Sequence, residues 1–218
     1  MPDLQRFALN AAGRDFVVGD IHGFFGALQD AMASVGFDHS VDRLFSVGDL
    51  GDRGPDSADA IVWMGKPWFH PVKGNHEAMA CQYFVEPIPE VKRWFVSNGG
   101  QWFVDLPFEL QRAIATAFVH LPLAIEIETK NGLVGIVHAE VPGDDWACWD
   151  EVSTAQTERI ALWSRDRINH QECGVVKGVY RVYVGHTPLR EVQQLGNVRY
   201  IDTGAVFGGK LTIEQIGT

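Results

Sequence analysis

The sequence is poor in cysteine and has no long apolar run. Its three cysteines, Cys81, Cys148 and Cys173, are widely spaced and include no CxxC pair. This pattern argues against a disulfide framework or a thiolate zinc site, and it is typical of reduced thiols in the cytoplasm. No segment approaches the ~20 apolar residues of a membrane-spanning helix, and residues 1–6 lack the features of a signal peptide. We therefore expect a cytoplasmic protein with no membrane partner.

Basic residues are also scarce. There are 18 Lys and Arg against 28 Asp and Glu, and the formal net charge is −10. This balance argues against nucleic acid as a partner, but not against phosphate esters, because bound divalent cations can reverse the local potential. The densest acidic stretch, residues 140–151, is interpreted as either a solvated loop or a rim that screens substrates by charge.

The composition is that of an ordinary globular chain. Of its 218 residues, 46% are hydrophobic and 21% are charged, and no linker, repeat or low-complexity tract divides them. We predict a single domain over residues 1–218.

Short apolar segments and segments of helical periodicity alternate through the first half. The predicted strands are 16–18, 44–47 and 68–73, and the predicted helices are 24–36, 57–65 and 77–84. This order favours a partly parallel sheet with functional residues at the carboxyl ends of its strands. The second half predicts a helical region over 89–120, a helix near 153–166, and strands at 124–128, 133–138, 182–185, 198–202 and 211–216. Two sheets packed on one another and flanked by helices would use all of these elements.

Three glycine-flanked motifs carry the chemical signal. They are GDIHG at residues 19–23, GDLGDRG at 48–54 and GNHE at 74–77, and they are followed by His138 and His186 at the ends of apolar runs. Asp, His and Asn side chains together suit a pair of divalent ions, and two close ions suit the hydrolysis of phosphate esters.

The spacing suggests how the ligands divide. Asp20 and His22 are two residues apart, so on a continuing strand they face the same side and can reach one ion. Asp49 is the natural bridging carboxylate. The second ion is completed by Asn75, His138 and His186. Two carboxylates leave part of the metals' charge free to hold a hydroxide and a phosphate.

Four further residues are candidates for catalysis and phosphate binding. His76 would protonate the leaving oxygen, and Asp52 would hydrogen-bond its other ring nitrogen. Arg53 and Arg165 would bind phosphate through their guanidinium groups, although spacing alone leaves Arg167 as an alternative to Arg165. The remaining histidines, which are assigned to no site, are His39, His70, His120 and His170.

These motifs together resemble the calcineurin-like metallophosphoesterases. Within that family they are most similar to the small bacterial and phage serine/threonine protein phosphatases typified by the phage lambda enzyme. Residues 98–100, 163–165 and 200–207 add to the resemblance, which covers about residues 14–216. There are two departures: Gly51 replaces a larger apolar residue and could loosen its loop, and Glu140 stands where Asp or Gly is usual.

The resemblance implies a four-layer αββα sandwich with a dinuclear centre, with manganese as the first expectation and iron, zinc, nickel or cobalt as alternatives. It implies Asp20, His22 and Asp49 on one ion. It places Asp49, Asn75, His138 and His186 on the other. It also implies Arg53 and Arg165 on phosphate, and His76 with Asp52 as the acid pair.

The expected activity is the removal of phosphate from phosphoserine and phosphothreonine in proteins or peptides, with phosphotyrosine as a further substrate. A metal-bridging hydroxide would attack phosphorus directly. The alternative enzyme is a symmetrical diadenosine-tetraphosphate hydrolase. A non-catalytic phosphoprotein-binding module is disfavoured, since every ligand and His76 are present.

Overall fold

The computed structural model describes residues 3–151 and 154–217. Within these ranges, none of the helices combines the length and the apolar character needed to cross a membrane. The strands form two sheets, one of four strands and one of six.

The four-stranded sheet has the order β10-β2-β3-β4. Its strands are β2 (Asp15–Val18), β3 (Arg43–Ser46), β4 (Phe69–Pro71) and β10 (Ile213–Gln215). The first three are parallel, and β10 runs antiparallel along β2. Because Val18 pairs with Ser46, the loops that follow β2 and β3 leave the sheet side by side. This register brings the first two glycine-flanked motifs together.

The six-stranded sheet has the order β1-β5-β6-β7-β9-β8. Its strands are β1 (Leu4–Phe7), β5 (Ala124–Thr129), β6 (Gly132–Val137), β7 (Arg181–Val184), β8 (Gln193–Leu195) and β9 (Val198–Tyr200). Strands β6, β7 and β9 are mutually parallel. His138 directly follows β6 and His186 lies just beyond β7, so both histidines lie at the same edge of this sheet.

Eight α-helices lie in the described part of the chain. They are α1 (Phe25–Ser34), α2 (Ala60–Met64), α3 (Asn75–Val85), α4 (Pro89–Ser97), α5 (Gln101–Val104), α6 (Phe108–Val119), α7 (Ala155–Trp163) and α8 (Asp166–His170). A 3-10 turn at Ser57–Asp59 precedes α2.

Side-chain alternation along the strands produces the layers. Val17 and Phe45 point towards the second sheet and pack with Ile125, Ile136 and Tyr183. Their neighbours on the opposite face of the first sheet pack against helices α1 to α6. The outer face of the second sheet packs against α7, α8 and the segment around Trp146. The molecule therefore has four layers in the order αββα, which confirms the predicted fold class.

Some element predictions need correction. Strand β4 ends at Pro71 and helix α3 starts at Asn75, so Asn75 and His76 lie in a first helical turn rather than at the tip of a strand. Strands β1 and β8 and helix α8 were not predicted, because each spans only three to five residues and at least half of each is polar. The predicted start of the 153–166 helix at Ser153 lies outside the described residues.

The cysteines behave in two ways. Cys81 and Cys148 are half-buried, whereas Cys173 is exposed. Scattered reduced cysteines are expected to act as small buried hydrophobic residues, and that expectation is wrong for Cys173.

Candidate metal centre

The carboxyl edges of the two sheets meet at a cavity of about 200 Å³. Nearly all of the predicted site residues lie here. The cavity is lined by Asp20, His22, Asp49, Arg53, Asn75, His76, Asn98, Trp163, Arg165, His186, Pro188, Asp202 and Phe207. His138 and Asp52 are buried just behind this lining. The structure therefore brings together all ten residues selected from the sequence.

One group of donor atoms surrounds the amide of Asn75. Its Oδ1 lies 2.8 Å from His138 Nε2 and 2.9 Å from His186 Nδ1. Asp49 Oδ1 lies 3.4 Å from His138 Nε2. This set matches the four ligands expected for the second ion.

The other group surrounds the second oxygen of Asp49. His22 Nε2 lies 3.6 Å from Asp49 Oδ2, and His76 Nε2 lies 3.8 Å from the same atom. His76 is therefore near enough to this group to act as a ligand. Asp20 lines the same cavity, but its carboxylate accepts the backbone N–H of His186 at 3.0 and 3.2 Å. The sequence predicts Asp20 as the third ligand of the ion bound by His22 and Asp49, and the structure adds His76 as an alternative third ligand.

The histidines are oriented by backbone contacts. His22 Nδ1 donates to the carbonyl of Gly51 at 3.0 Å, and His138 Nδ1 donates to that of Val47 at 2.8 Å. The ring of His186 hydrogen-bonds the backbone of Trp163. A histidine ligand is commonly fixed through its other ring nitrogen, which leaves one electron pair for the metal. The donor set therefore fits divalent cations.

Burial keeps these three rings neutral. It lowers the pKa of His22 to about 3 and the pKa of His186 to about 3. It also lowers the pKa of His138. Neutral imidazole is the form that binds a metal ion, so the rings are in the binding form at physiological pH.

His76 belongs to a buried hydrogen-bonded chain. Its Nδ1 donates to Asp52 Oδ2 at 2.6 Å, and Trp102 Nε1 donates to Asp52 Oδ1 at 2.6 Å. Burial alone would lower the pKa of His76, but the charges of Asp49 and Asp52 outweigh it and raise the pKa above its usual value. His76 is thus suited to carry a proton. Gly51 lies under the same indole ring: a Cβ there would approach Trp102 Cζ2 to 3.0 Å.

Two arginines line the cavity, one beside His22 and the other beside His186. Arg53 Nη1 lies 2.7 Å from His22 Nε2, and its guanidinium lies 5.5 Å from the ring centre of Phe207. An ion on His22 Nε2 would exclude this contact, so the Arg53 guanidinium would have to move away from the ring for the ion to bind. Arg165 Nη2 donates to the carbonyl of His186 at 3.2 Å.

Arg167 is occupied elsewhere. It is buried, donates to the carbonyl of Gly174 at 2.6 Å, and pairs with Asp144 at 3.2 Å. The choice that spacing left open therefore falls on Arg165, because it is the one of the two that lines the cavity.

Two glutamates tie the loops together. Glu77 accepts from the backbone N–H groups of Asp49, Leu50 and Gly74 at 2.8–2.9 Å, and so joins the second motif to the third. The sequence interpretation gave Glu77 no structural role. Glu77 is the third residue of α3, where a glutamate is a capping signal, but the helix was predicted to begin at Glu77 itself, so the signal was missed.

Glu140 has a comparable position in the second half. Its carboxylate accepts from Ser164 Oγ, from Asp166 N at 3.2 Å and from Arg167 N at 3.0 Å. These contacts hold the segment that carries Arg165. Glu140 thus acts inside the fold, and two other acids of the 140–151 stretch, Asp144 and Asp150, are paired with arginines.

The backbone itself is strained at this edge. Positive φ angles occur at five non-glycine residues of the cavity or motifs, which are His22, Asp49, Asp52, Arg53 and His186. Two glycines allow the carboxylates of Asp49 and Asp20 to lie against the backbone. A Cβ on Gly74 would lie 2.2 Å from Asp49 Oδ1, and one on Gly185 would lie 1.9 Å from Asp20 Oδ1. Strain of this kind clusters at functional sites.

Asp202 is a cavity residue that the sequence interpretation passed over. It accepts from Gly204 N at 2.9 Å, and burial raises its pKa to about 6. It follows an apolar strand in the same way as Asp20 and Asp49, so the same strand-end rule would have found it.

The fold and this donor set define a class of phosphoesterase. The calcineurin-like phosphoesterase family matches residues 16–208, and the chain belongs to that family. It is 38% identical over 204 residues to "Serine/threonine-protein phosphatase 1" of Salmonella typhimurium, covering 92% of this chain and 91% of the relative. It is also 38% identical over 207 residues to "Serine/threonine-protein phosphatase 2" of Escherichia coli, covering 92% of each.

A solved structure supports the fold. The one described as "Crystal structure of a putative diadenosine tetraphosphatase" aligns with a TM-score of 0.72 at 22% identity, covering 100% of this chain and 95% of that one. At this identity the likeness concerns the fold.

Proposed function

We propose that this protein removes phosphate from phosphoserine and phosphothreonine residues of proteins, and also acts on phosphotyrosine. The observation that carries the proposal is its likeness, across more than nine-tenths of the chain, to two serine/threonine-protein phosphatases. The cavity is consistent with it, since metal donors and phosphate-binding cations face the same space.

Two divalent ions would be held by the donor groups around Asp49. Asp20, His22 and Asp49 would bind the first, and Asp49 with Asn75, His138 and His186 would bind the second. Manganese is the proposed metal, with iron, zinc, nickel and cobalt as alternatives. When bound, such ions activate water and polarise the phosphoryl oxygens.

The protein's own residues would position the ester and move the proton. Arg53 and Arg165 line the same cavity, so together they would hold the equatorial oxygens and orient the phosphorus for in-line attack. His76, whose pKa the nearby carboxylates raise, would donate its Nε2 proton to the leaving alkoxide. Asp52 would stabilise the charged ring and fix its orientation.

The alternative substrate is a dinucleoside tetraphosphate, split symmetrically. It is kept because its hydrolases share most of these motifs. Glu77 in GNHE favours the protein phosphatase, since the dinucleotide enzymes tend to carry Asp at that position.

The deciding experiment uses metal-stripped protein reloaded with Mn²⁺, assayed side by side on a phosphoserine protein and on diadenosine tetraphosphate. We expect a higher kcat/KM for the phosphoprotein. A clear preference for the dinucleotide would contradict the proposed substrate while leaving the metal centre in place. Reloading with iron, zinc, nickel or cobalt in parallel tests the choice of manganese.

A further inference from the structure

An apolar groove of about 350 Å³ lies beside the candidate metal centre. It is formed by helices α3, α4 and α7. Its lining consists of Ala78, Met79, Gln82, Trp94, Ala155, Glu158, Arg159, Leu162 and Trp163. We call this feature the tryptophan groove, after the two indole rings that form its wall.

The groove is continuous with the metal-site cavity. Trp163 lines both of them. Its ring stacks on Trp94 at 5.7 Å between ring centres, and it meets the His186 ring edge-on at 6.2 Å. Asn98, which lines the metal-site cavity, donates to the backbone carbonyl of Trp94 at 2.8 Å. A chain that leaves the phosphate position on this side therefore passes over the tryptophan pair.

These two tryptophans differ from the others that pack in the core. Trp94 is 38% exposed and Trp163 is 36% exposed, whereas Trp63, Trp146 and Trp149 are buried. A stacked pair of indoles at the surface leaves a large apolar area in water, and aromatic residues of this kind are enriched where proteins bind partners. The pair is thus suited to receive an apolar group.

The charge of the groove selects among possible occupants. Glu158 and Arg159 are its charged residues and are opposite in sign. A polyphosphate chain running from the metal site into the groove would need a row of cations, and a single arginine beside a glutamate does not supply one. An apolar amino-acid side chain needs no counter-charge, and Met79 and Leu162 offer it an apolar floor.

We propose that the tryptophan groove binds an apolar side chain of the substrate peptide, about three residues away from the phosphorylated residue. An extended peptide advances ~3.3–3.6 Å per residue. The two ring-to-ring steps of 6.2 and 5.7 Å from His186 to Trp94 together correspond to just over three residues of extended chain. The groove lies on one side of the metal site, so the preference applies in one chain direction. This inference rests on the proposed protein phosphatase activity.

The test scans leucine against alanine at the three positions on each side of phosphoserine in an otherwise constant peptide. With the Mn²⁺-loaded wild-type protein, we expect leucine to raise kcat/KM roughly 10-fold at one or two neighbouring positions on one side, in line with the burial of an apolar side chain. Trp94→Ala should reduce that leucine-to-alanine ratio to about one. The matched control is Phe108→Ala, which removes another exposed, stacked aromatic residue outside the groove and should keep the wild-type ratio.

A second variant, Trp94→Glu, keeps the inference testable if Trp94→Ala does not fold. Trp94→Glu places a carboxylate on the groove wall, and we expect the preference at the same peptide position to move from leucine to lysine. A wild-type enzyme that cleaves phosphopeptides without any leucine preference would overturn the inference and leave the proposed function intact. The same conclusion follows if the preference survives in both Trp94 variants. Cleavage of diadenosine tetraphosphate with no phosphopeptide turnover would instead overturn the proposed function, and the inference with it.

Discussion

The two halves of the chain contribute to the metal-site cavity in different ways. The first half supplies compact motifs with positive φ at His22, Asp49, Asp52 and Arg53, and Glu77 joins two of the loops. The second half supplies single residues from separate elements, and several of them are held by the first half. His138 Nδ1 donates to the carbonyl of Val47, and the N–H of His186 donates to Asp20.

This difference suggests a division of labour. In the first half, the backbone conformation of the three motifs at residues 19–23, 48–54 and 74–77 sets the ligand geometry, and we call these motifs the platform. The second half completes the platform through hydrogen bonds that cross between the two sheets. We therefore expect changes in the first half to disturb the ligand geometry directly, and changes in the second half to act through the side chains it supplies, which are His138, His186 and Arg165.

Asp49 is where the two halves meet, and Asp49→Asn should have the largest effect. The variant loses a carboxylate whose two oxygens face different groups of histidines. Hydrolysis should fall by more than the roughly 10²–10⁴-fold typical of a lost general acid. Metal content per chain, measured by elemental analysis after dialysis, should fall with it. Retention of two ions at full activity would contradict the shared-ligand assignment.

His76→Asn tests the platform's chemistry. If His76 donates a proton, kcat should fall roughly 10²–10⁴-fold with little change in bound metal. Metal content and kcat are measured on the same sample, because His76 also lies near the donor group of His22. Full activity with unchanged metal would disprove the acid role. Loss of one ion would identify His76 as a ligand instead.

Glu77→Gln tests whether the platform is held by one buried carboxylate. Three backbone N–H groups lose a charged acceptor, so the free energy of unfolding should fall by about 1–3 kcal/mol. Metal affinity should weaken about 10- to 100-fold, as for other residues that support ligands. The control is Glu214→Gln, which removes a part-exposed pairing with Arg199 remote from the cavity. Equal metal affinity in both variants would show that Glu77 has no special role.

Glu140→Ala tests the second half. The variant loosens the segment that carries Arg165, so KM for p-nitrophenyl phosphate should rise about 10-fold, with a smaller change in kcat. An effect that works through Arg165 is not additive with its removal. The double variant Glu140→Ala, Arg165→Ala should therefore be no worse than Arg165→Ala alone. Additive losses would show that Glu140 acts by another route.

Trp102→Phe should have the smallest effect. It keeps an aromatic ring over Gly51 but removes the N–H that donates to Asp52. We expect a loss in kcat of about 10-fold or less, consistent with one hydrogen bond to a charged group. The loss should be greater for phosphoserine than for p-nitrophenyl phosphate, whose leaving group needs little help from a proton. Equal losses on both substrates would separate Trp102 from the acid chain.

The same contrast explains what the sequence could predict. Contiguous motifs at strand ends identified the platform, and the shared apolar periodicity identified both sheets. The unpredicted partnerships join distant residues: Trp102 meets Asp52 across 50 positions, and Glu140 reaches Asp166 across 26. No local pattern encodes such pairs. Strands β1 and β8 were missed because pairing with the neighbouring strands β5 and β9, rather than an apolar pattern of their own, defines them.

The close approach at Gly74 and Gly185 has a consequence for mutational maps. A single added methyl group at either position would collide with the carboxylate of Asp49 or Asp20. In a saturation library scored by phosphatase activity, these glycines would be as intolerant of change as the ligands themselves. A tolerance map alone would then count too many ligands. A metal-content screen would not separate the glycines from the ligands either. Conservative substitutions would separate them, because Asp49→Glu keeps a carboxylate donor, whereas every replacement at Gly185 adds the colliding Cβ.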